Sequence, residues 1–452
     1  MSAVAALLSG NHSPDPVTIT RMLAAAPHRG QPWQPVVLGR AALGVACEAE
    51  GLDASLATDG TVAVACSGAL DNRDALRALL TREGFPVNGP ADAEVLIAGF
   101  RRFGKRLPSE LRGTFAVAIT DGEHLWSFRD HLGLRSLLYA RTDDGLFLAS
   151  EAKQVAAGTG NPIRADRGVV ERIFWTSTAS AIRGVERLMP ATLLEAAPRS
   201  LSCSPYWNPV RLLETARPSA VEVQEQFDAL MTQAVRRCLT GQDVIALSGG
   251  LDLPTVVGYA APLYQELFGR HLPALSIVAP DHPSVDETEY IKLVVDRYQL
   301  PWNSYEQRVL FGGDLDRWVE LCDGPVPTVT INEMEEAYST ARRLGFRTML
   351  TGEWAEFLVD QPYGLLVHLL VQGRVPDEIL DRSNRTVFDA SIKSRINYQE
   401  LDKWLNRPNV TLAGVDYSRL QSRLESRELD LDEYRWARDL ASAHAFLERY
   451  GE

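Results

Sequence analysis

Lysine is scarce in this chain. Of 46 basic residues only five are lysines (Lys105, Lys153, Lys292, Lys393 and Lys403), so a reaction that needs an ammonium group has few candidates. Cysteine is as sparse. Cys47, Cys66, Cys203, Cys238 and Cys322 form no Cys-x-x-Cys pair and no zinc-ligand spacing. That excludes a disulfide framework or a zinc module and fits reduced thiols in a cytoplasmic protein. Positive charge is also lacking: a net charge of −13 argues against nucleic acid or an anionic membrane as the main partner. No apolar run reaches the roughly 18 residues of a membrane span, and the opening MSAVAALLSG has no basic n-region. What is present is an ordinary globular composition, 45% hydrophobic and 23% charged over 452 residues. It suffices for two or more domains, each with its own core.

The most informative stretch runs from Asp243 to Val257, DVIALSGGLDLPTVV. Val244-Ile245-Ala246-Leu247 has the length and composition of a buried parallel strand. Ser248-Gly249-Gly250-Leu251-Asp252 breaks it, and an apolar run from Val256 to Ala260 opens a helix. Strand, glycine turn and helix together make an anion site. Glycine lets the backbone approach a phosphate, and the N–H groups of the helix start point at it. Asp252 is placed to hold Mg²⁺ beside a polyphosphate. No Gly-Lys-Ser/Thr follows and the pattern is not GxGxxG, so neither the Walker loop nor the dinucleotide turn fits. The stretch resembles the SGGxDS pyrophosphate loop of the ATP pyrophosphatases, which split ATP between its α and β phosphates. Leu253 stands where that family has serine, and Pro254 falls in the first helical turn, where proline is tolerated.

Upstream, short apolar runs at 36–38, 43–46, 62–65 and 115–119, punctuated by turn signals such as Asp121-Gly122, predict strands. Helices are predicted over 72–81, with Ala75, Leu76, Leu79 and Leu80 on one face, and over 91–103, with Val95, Leu96, Gly99, Phe100 and Phe103 on one face. Four landmarks then occur in order: His28-Arg29-Gly30; Leu111 to Ala116; Arg129-Asp130-His131-Leu132-Gly133 with Leu138-Tyr139; and Ala149-Ser150-Glu151-Ala152-Lys153. They resemble the glutaminase domain of asparagine synthetase, the last as its closing strand. The resemblance implies an α+β, Ntn-hydrolase-like αββα sandwich over residues 1–160. The chemistry of that domain is not matched. The family's cysteine nucleophile is Ser2 here, and a hydroxyl is far less nucleophilic than a thiol near neutral pH. The glutamine-holding Asn-Gly-Glu becomes Ser67-Gly68-Ala69. Asp92 matches the aspartate that holds the substrate amine; as a residue alone it is an acid favourable to a helix N-terminus. A degenerate glutaminase scaffold is expected.

Residues 161–215 are expected as a connector, in which Ile182 to Pro190 and Tyr206-Trp207-Asn208-Pro209 resemble the family's joints. Residues 216–452 begin with a helix over 220–239, whose stripe of Phe227, Leu230, Met231, Ala234, Val235 and Cys238 reads as core. Strands at 274–278 and 347–351 and a helix at 286–298 predict a doubly wound parallel α/β sheet. The strand ends at Leu247, Val278 and Thr351 should converge on one crevice. By resemblance this is a PP-loop domain (adenine nucleotide α hydrolase-like). Leu247 and Val278 would flank adenine, Ser248, Gly249 and Gly250 would cradle pyrophosphate, and Gly352 would approach the nucleotide. Asp252 and Glu356 would hold Mg²⁺, and Glu353 is a candidate general base for an attacking amine. Trp354 replaces a glycine of the family. Asp286-Glu287 reads as an N-cap acid pair, and Asp323 as lining the acceptor side. A helical tail is expected over 429–450. Neither Lys393 nor Lys403 sits in a motif matching the family's C-terminal lysine.

The resemblance is therefore to the asparagine synthetase superfamily, nearest the branch with β-lactam synthetase and lasso-peptide cyclases. It implies that MgATP adenylates a small-molecule or peptide carboxylate. An amine not drawn from glutamine then displaces AMP, forming an amide in natural-product biosynthesis. The alternative is a catalytically degenerate paralogue that binds or scaffolds an active partner. A homodimer and a partner protein of the same pathway are both left open.

Overall fold

The computed structural model describes residues 2–48, 53–170, 179–209, 218–281, 283, 286–307, 313–326, 331–353, 396–406, 417–427, 429 and 431–451. The chain divides into two compact units. One holds residues 1–216, 316–325 and 445–452; the other holds 217–315 and 326–444.

The first unit is built on two antiparallel sheets. Strands β1 (Ser2–Ser9), β2 (Gln31–Pro32), β3 (Val36–Leu38) and β4 (Ala41–Cys47) lie in one, and β5 (Ala54–Thr58), β6 (Ala63–Leu70), β7 (Gly113–Thr120) and β8 (Leu125–Arg129) in the other. Next, β9 (Leu138–Thr142), β10 (Gly145–Ala149) and β11 (Glu186–Arg187) return to the first sheet, and β12 (Thr192–Ala197) and β13 (Ser200–Pro205) to the second. The orders are β11-β9-β10-β1-β4-β2, with β3 also on β4, and β13-β12-β8-β7-β6-β5. Helices α1 (Pro16–Ala24), α2 (Arg73–Arg82), α3 (Asp92–Phe103), α4 (Leu107–Glu110), α5 (Ala152–Thr159) and α6 (Arg167–Val170) complete the unit. Of these, α1 and α5 pack on the first sheet and α3 on the second.

The layering follows from strands buried on both faces. Val4, Ala6 and Leu8 of β1 meet Ala63 and Ala65 of β6 and Ala116 and Ala118 of β7 between the sheets. The alternate residues Val64, Cys66, Phe115, Val117 and Ile119 pack with Leu76, Leu80, Val95 and Leu96 of α2 and α3. Period-2 alternation thus appears as small against large, not polar against apolar. The αββα expectation is met in this unit.

Two expectations are corrected. The stretch 161–215 is more than a connector: β12 pairs with β8 and β13 with β12, extending the second sheet. The predicted closing strand at 149–153 ends at Ala149, and Glu151 instead caps α5 in a reciprocal capping box with Gln154. Its carboxylate suits a helix start better than a ladder.

The second unit opens with α7 (Ala220–Cys238), followed by β14 (Asp243–Ala246), α8 (Asp252–Phe268), β15 (Ala274–Val278), α9 (Thr288–Tyr298) and β16 (Trp302–Glu306). Then come α10 (Leu315–Cys322), nearly all of which joins the first unit, and α11 (Ile331–Arg343), β17 (Thr348–Leu350), α12 (Tyr398–Leu405), α13 (Tyr417–Ser426) and α14 (Leu431–Tyr450). The four strands are parallel in the order β16-β15-β14-β17, as expected for a doubly wound sheet. Order reverses between β14 and β17, and ligands of such sheets sit at that reversal, beyond the strand carboxyl ends. The stripe of α7 is not core: of its residues only Val235 is buried, while Leu230 is 65% exposed. A 3.6-residue period says which side chains share a face, not what covers it.

Candidate functional site

Strand β14 is anchored at its start by Asp243. This buried carboxylate accepts from the Thr240 and Gly241 N–H groups at 2.8 Å and from the hydroxyls of Thr240 and of Thr348 on β17. Every lone pair is used, so a buried charge becomes a fixed joint between the two central strands. The chain leaves β14 through Leu247, enters the glycine turn, and starts α8 at Asp252 with no side-chain cap on its first N–H groups. A cleft of about 340 Å³ opens there, lined by Ala246, Leu247, Ser248, Leu253, Val278 and Tyr305 among others. Its walls are mostly apolar and its volume falls in the ordinary range for a small-molecule site.

Leu247, Ser248 and Val278 line this one cleft. Gly352, at the end of β17, reaches the same turn: a Cβ on it would lie 3.2 Å from Cβ of Asp252. Asp252 is exposed at the first position of α8. Glu353 is exposed too, with the Tyr338 hydroxyl hydrogen-bonded to it; burial and that carboxylate raise the tyrosine's pKa. Glu356, Trp354 and Lys393 lie outside the described residues. Among the described residues no cluster of three or more His, Cys, Asp or Glu side chains could hold a metal ion. Mg²⁺ held by one or two carboxylates plus phosphate oxygens does not require such a cluster.

Sequence reasoning missed two groups. Glu287, read as half of an N-cap pair, does not cap α9; its carboxylate accepts from the Gly249 N–H at 2.9 Å. The Tyr305 hydroxyl is buried in the cleft wall without a hydrogen-bond partner. Only the strand alternation of β16 carried any signal for it. Asp286 instead ties the end of β15 to the start of α9, accepting from the Ala279 N–H at 3.0 Å and the Thr288 hydroxyl at 2.7 Å. Asp323 is not at this crevice. It is buried in the first unit, where its carboxylate accepts from the Lys153 N–H at 3.0 Å and pairs with its ammonium at 3.3 Å.

In the first unit Ser2 begins β1 opposite Cys47 and is fully buried. Its hydroxyl donates to the Asp53 carbonyl at 2.5 Å and lies 2.8 Å from the Ser67 hydroxyl. Arg135 holds the Asp53 carboxylate at 3.2 Å. Asp92 accepts from the Leu70 N–H at 3.0 Å, and burial raises its pKa against that hydrogen bond and the charge of Arg73. Both Ser2 and Asp92 therefore have structural partners. The landmark motifs hold the loops: Asp130 accepts from the Leu134 and Arg135 N–H groups at 2.9 and 3.0 Å, and the Tyr206 hydroxyl donates to the Arg129 carbonyl at 2.6 Å.

Residues 1–207 match the glutamine amidotransferase domain family. Over 215 residues the chain is 26% identical to asparagine synthetase [glutamine-hydrolyzing] 3 of Bacillus subtilis, covering 46% of this chain and 35% of that protein. Over these residues the chain is similar to glutamine amidotransferase domains and to asparagine synthetases. Amidase chyE of Penicillium rubens, 29% identical over 216 residues, matches 46% of this chain and 32% of its own length. The chain spans about a third of the length of the curated relatives it matches. Glutamine phosphoribosylpyrophosphate amidotransferase from B. subtilis aligns over 80% of this chain and 92% of its own at 14% identity, with a TM-score of 0.37. No helix among the described residues is long and apolar enough to cross a membrane.

Proposed function

We propose that this chain is an ATP-dependent, amide-forming ligase of the asparagine synthetase type. A substrate carboxylate is adenylated, an amine displaces AMP, and no glutamine is hydrolysed. The observation that carries this reading is the turn Ser248–Gly250, at the carboxyl end of the central parallel strand and beside an uncapped helix start, opening on an apolar cleft. Leu247 and Val278 would hold the base, and the turn and Gly352 the phosphates. Asp252, with Glu356, would hold Mg²⁺, which offsets the charge of the leaving pyrophosphate. Glu353 would accept the amine's proton. The test is MgATP binding and ATP–pyrophosphate exchange with candidate carboxylates. Asp252→Ala is expected to weaken MgATP roughly tenfold to a hundredfold, the ~1.5–3 kcal/mol of a charged contact. Equal binding by both proteins sinks the assignment of Asp252.

The first unit supports the clause about glutamine. The Ser2 hydroxyl is committed to Asp53 and Ser67, and a hydrolase would need it free and activated. Glutamine with the purified protein is expected to release no ammonia above the uncatalysed rate. A measured turnover that disappears in Ser2→Ala would overturn that. A second reading, a catalytically degenerate paralogue acting as a binding subunit, is favoured by Leu253 in the first turn of α8 and by the occupied Gly249 N–H. No binding at millimolar MgATP would favour it.

A further inference from the structure

Gly249 is glycine for a reason the motif does not express. A Cβ there would lie 2.8 Å from Cβ of Glu287 and 2.9 Å from Cβ of Tyr290, so the start of α9 packs directly on the turn. Glu287 occupies the N-cap position of α9, where Ser, Thr, Asp or Asn normally satisfies the helix's own N–H groups. Its side chain makes no such bond and spends its carboxylate on the Gly249 N–H instead. An N–H expected to meet a phosphate oxygen therefore already holds an oxyanion, and Glu287 also lines the cleft.

We propose that Glu287 is the resident anion of the glycine turn, and that polyphosphate enters only by displacing it. Glu287 thereby sets the affinity of this site for nucleotide. Two like charges cannot share one donor, so bound phosphate and the seated carboxylate exclude each other. This rests on the nucleotide reading of the crevice and adds a specificity-determining residue to it. Glutamine at 287 keeps the packing on Gly249 and removes the charge; alanine removes both charge and hydrogen bond.

The experiment is calorimetric titration of the full chain, and of its Glu287→Gln and Glu287→Ala variants, with magnesium pyrophosphate and with MgATP. Circular dichroism checks that each variant is folded. Both variants are expected to bind both ligands at least about tenfold more tightly than wild type, the factor that ~1.4 kcal/mol represents. If wild type binds and neither variant tightens, or both weaken, the resident-anion proposal fails while the nucleotide reading stands. If no protein binds either ligand at millimolar concentration, both fall. Should alanine unfold the domain, the glutamine variant alone decides.

Discussion

Glu151→Gln is expected to cost the first unit about 3–5 kcal/mol near neutral pH and almost nothing near pH 2, because it strands buried charges. Glu151 is 6% exposed. One oxygen meets His28 Nε2 and Arg29 Nε, each at 2.6 Å, and the other lies 2.8 Å from Lys153 Nζ. Burial pushes this carboxyl up, but the hydrogen bond from His28 and the charges of Arg29 and Lys153 outweigh it and hold the pKa at about 2 in place of 4.5. A depressed pKa stabilises the fold above the unfolded value and loses that contribution as pH falls. The mutational penalty should therefore be full above pH 4.5 and shrink between there and about 2. Asp323 acts with the opposite sign. Burial raises it to about 6 against the pull of Lys153, so this group withdraws stability as pH climbs from 3.8 towards 6. Urea unfolding of wild type and Glu151→Gln across this range reads both effects. A penalty independent of pH would show that the ion cluster contributes nothing through charge.

Gly68→Ala is expected to cost about 3 kcal/mol or more and to cut the yield of folded protein. Gly68 has φ +111°, in the region that favours glycine, and an added Cβ would sit 1.9 Å from the Thr114 carbonyl oxygen on the paired strand. Backbone strain and overpacking each contribute roughly 1–3 kcal/mol. Gly60→Ala is the control. It carries a similar φ of +86° with nothing within 4 Å, so it reports strain alone. Equal urea midpoints for the two variants would mean that β6 and β7 are not as closely apposed at this point.

These contrasts show where the sequence is readable. Val244 to Leu247 and Ala274 to Val278 declare parallel strands because apolar runs bounded by turns have few other solutions, and the glycine turn between strand and helix is local in the chain. The residues of α2 and α3 are legible for the same reason, although Ala75 proves exposed. What was not legible depends on partners distant in sequence. Glu287 lies 38 residues from Gly249, and no local rule connects an acid at a helix start with an N–H in an earlier turn. Asp323 reads as an acceptor-side acid from the sequence around it, whereas its position is decided by Lys153, 170 residues away. The exposed stripe of α7 illustrates the converse, a local pattern whose cover no pattern names.

The pairing of Lys153 with Asp323 also bears on synthesis. Residues 1–216 emerge from the ribosome with the two sheets complete, but without α10 or the carboxylate that faces the Lys153 ammonium. Until α10 and residue 323 appear, that cation has Glu151 but lacks its second carboxylate and the carbonyls of Glu320 and Leu321. The first unit therefore gains its last contacts only after strands β14, β15 and β16 of the following unit have been translated.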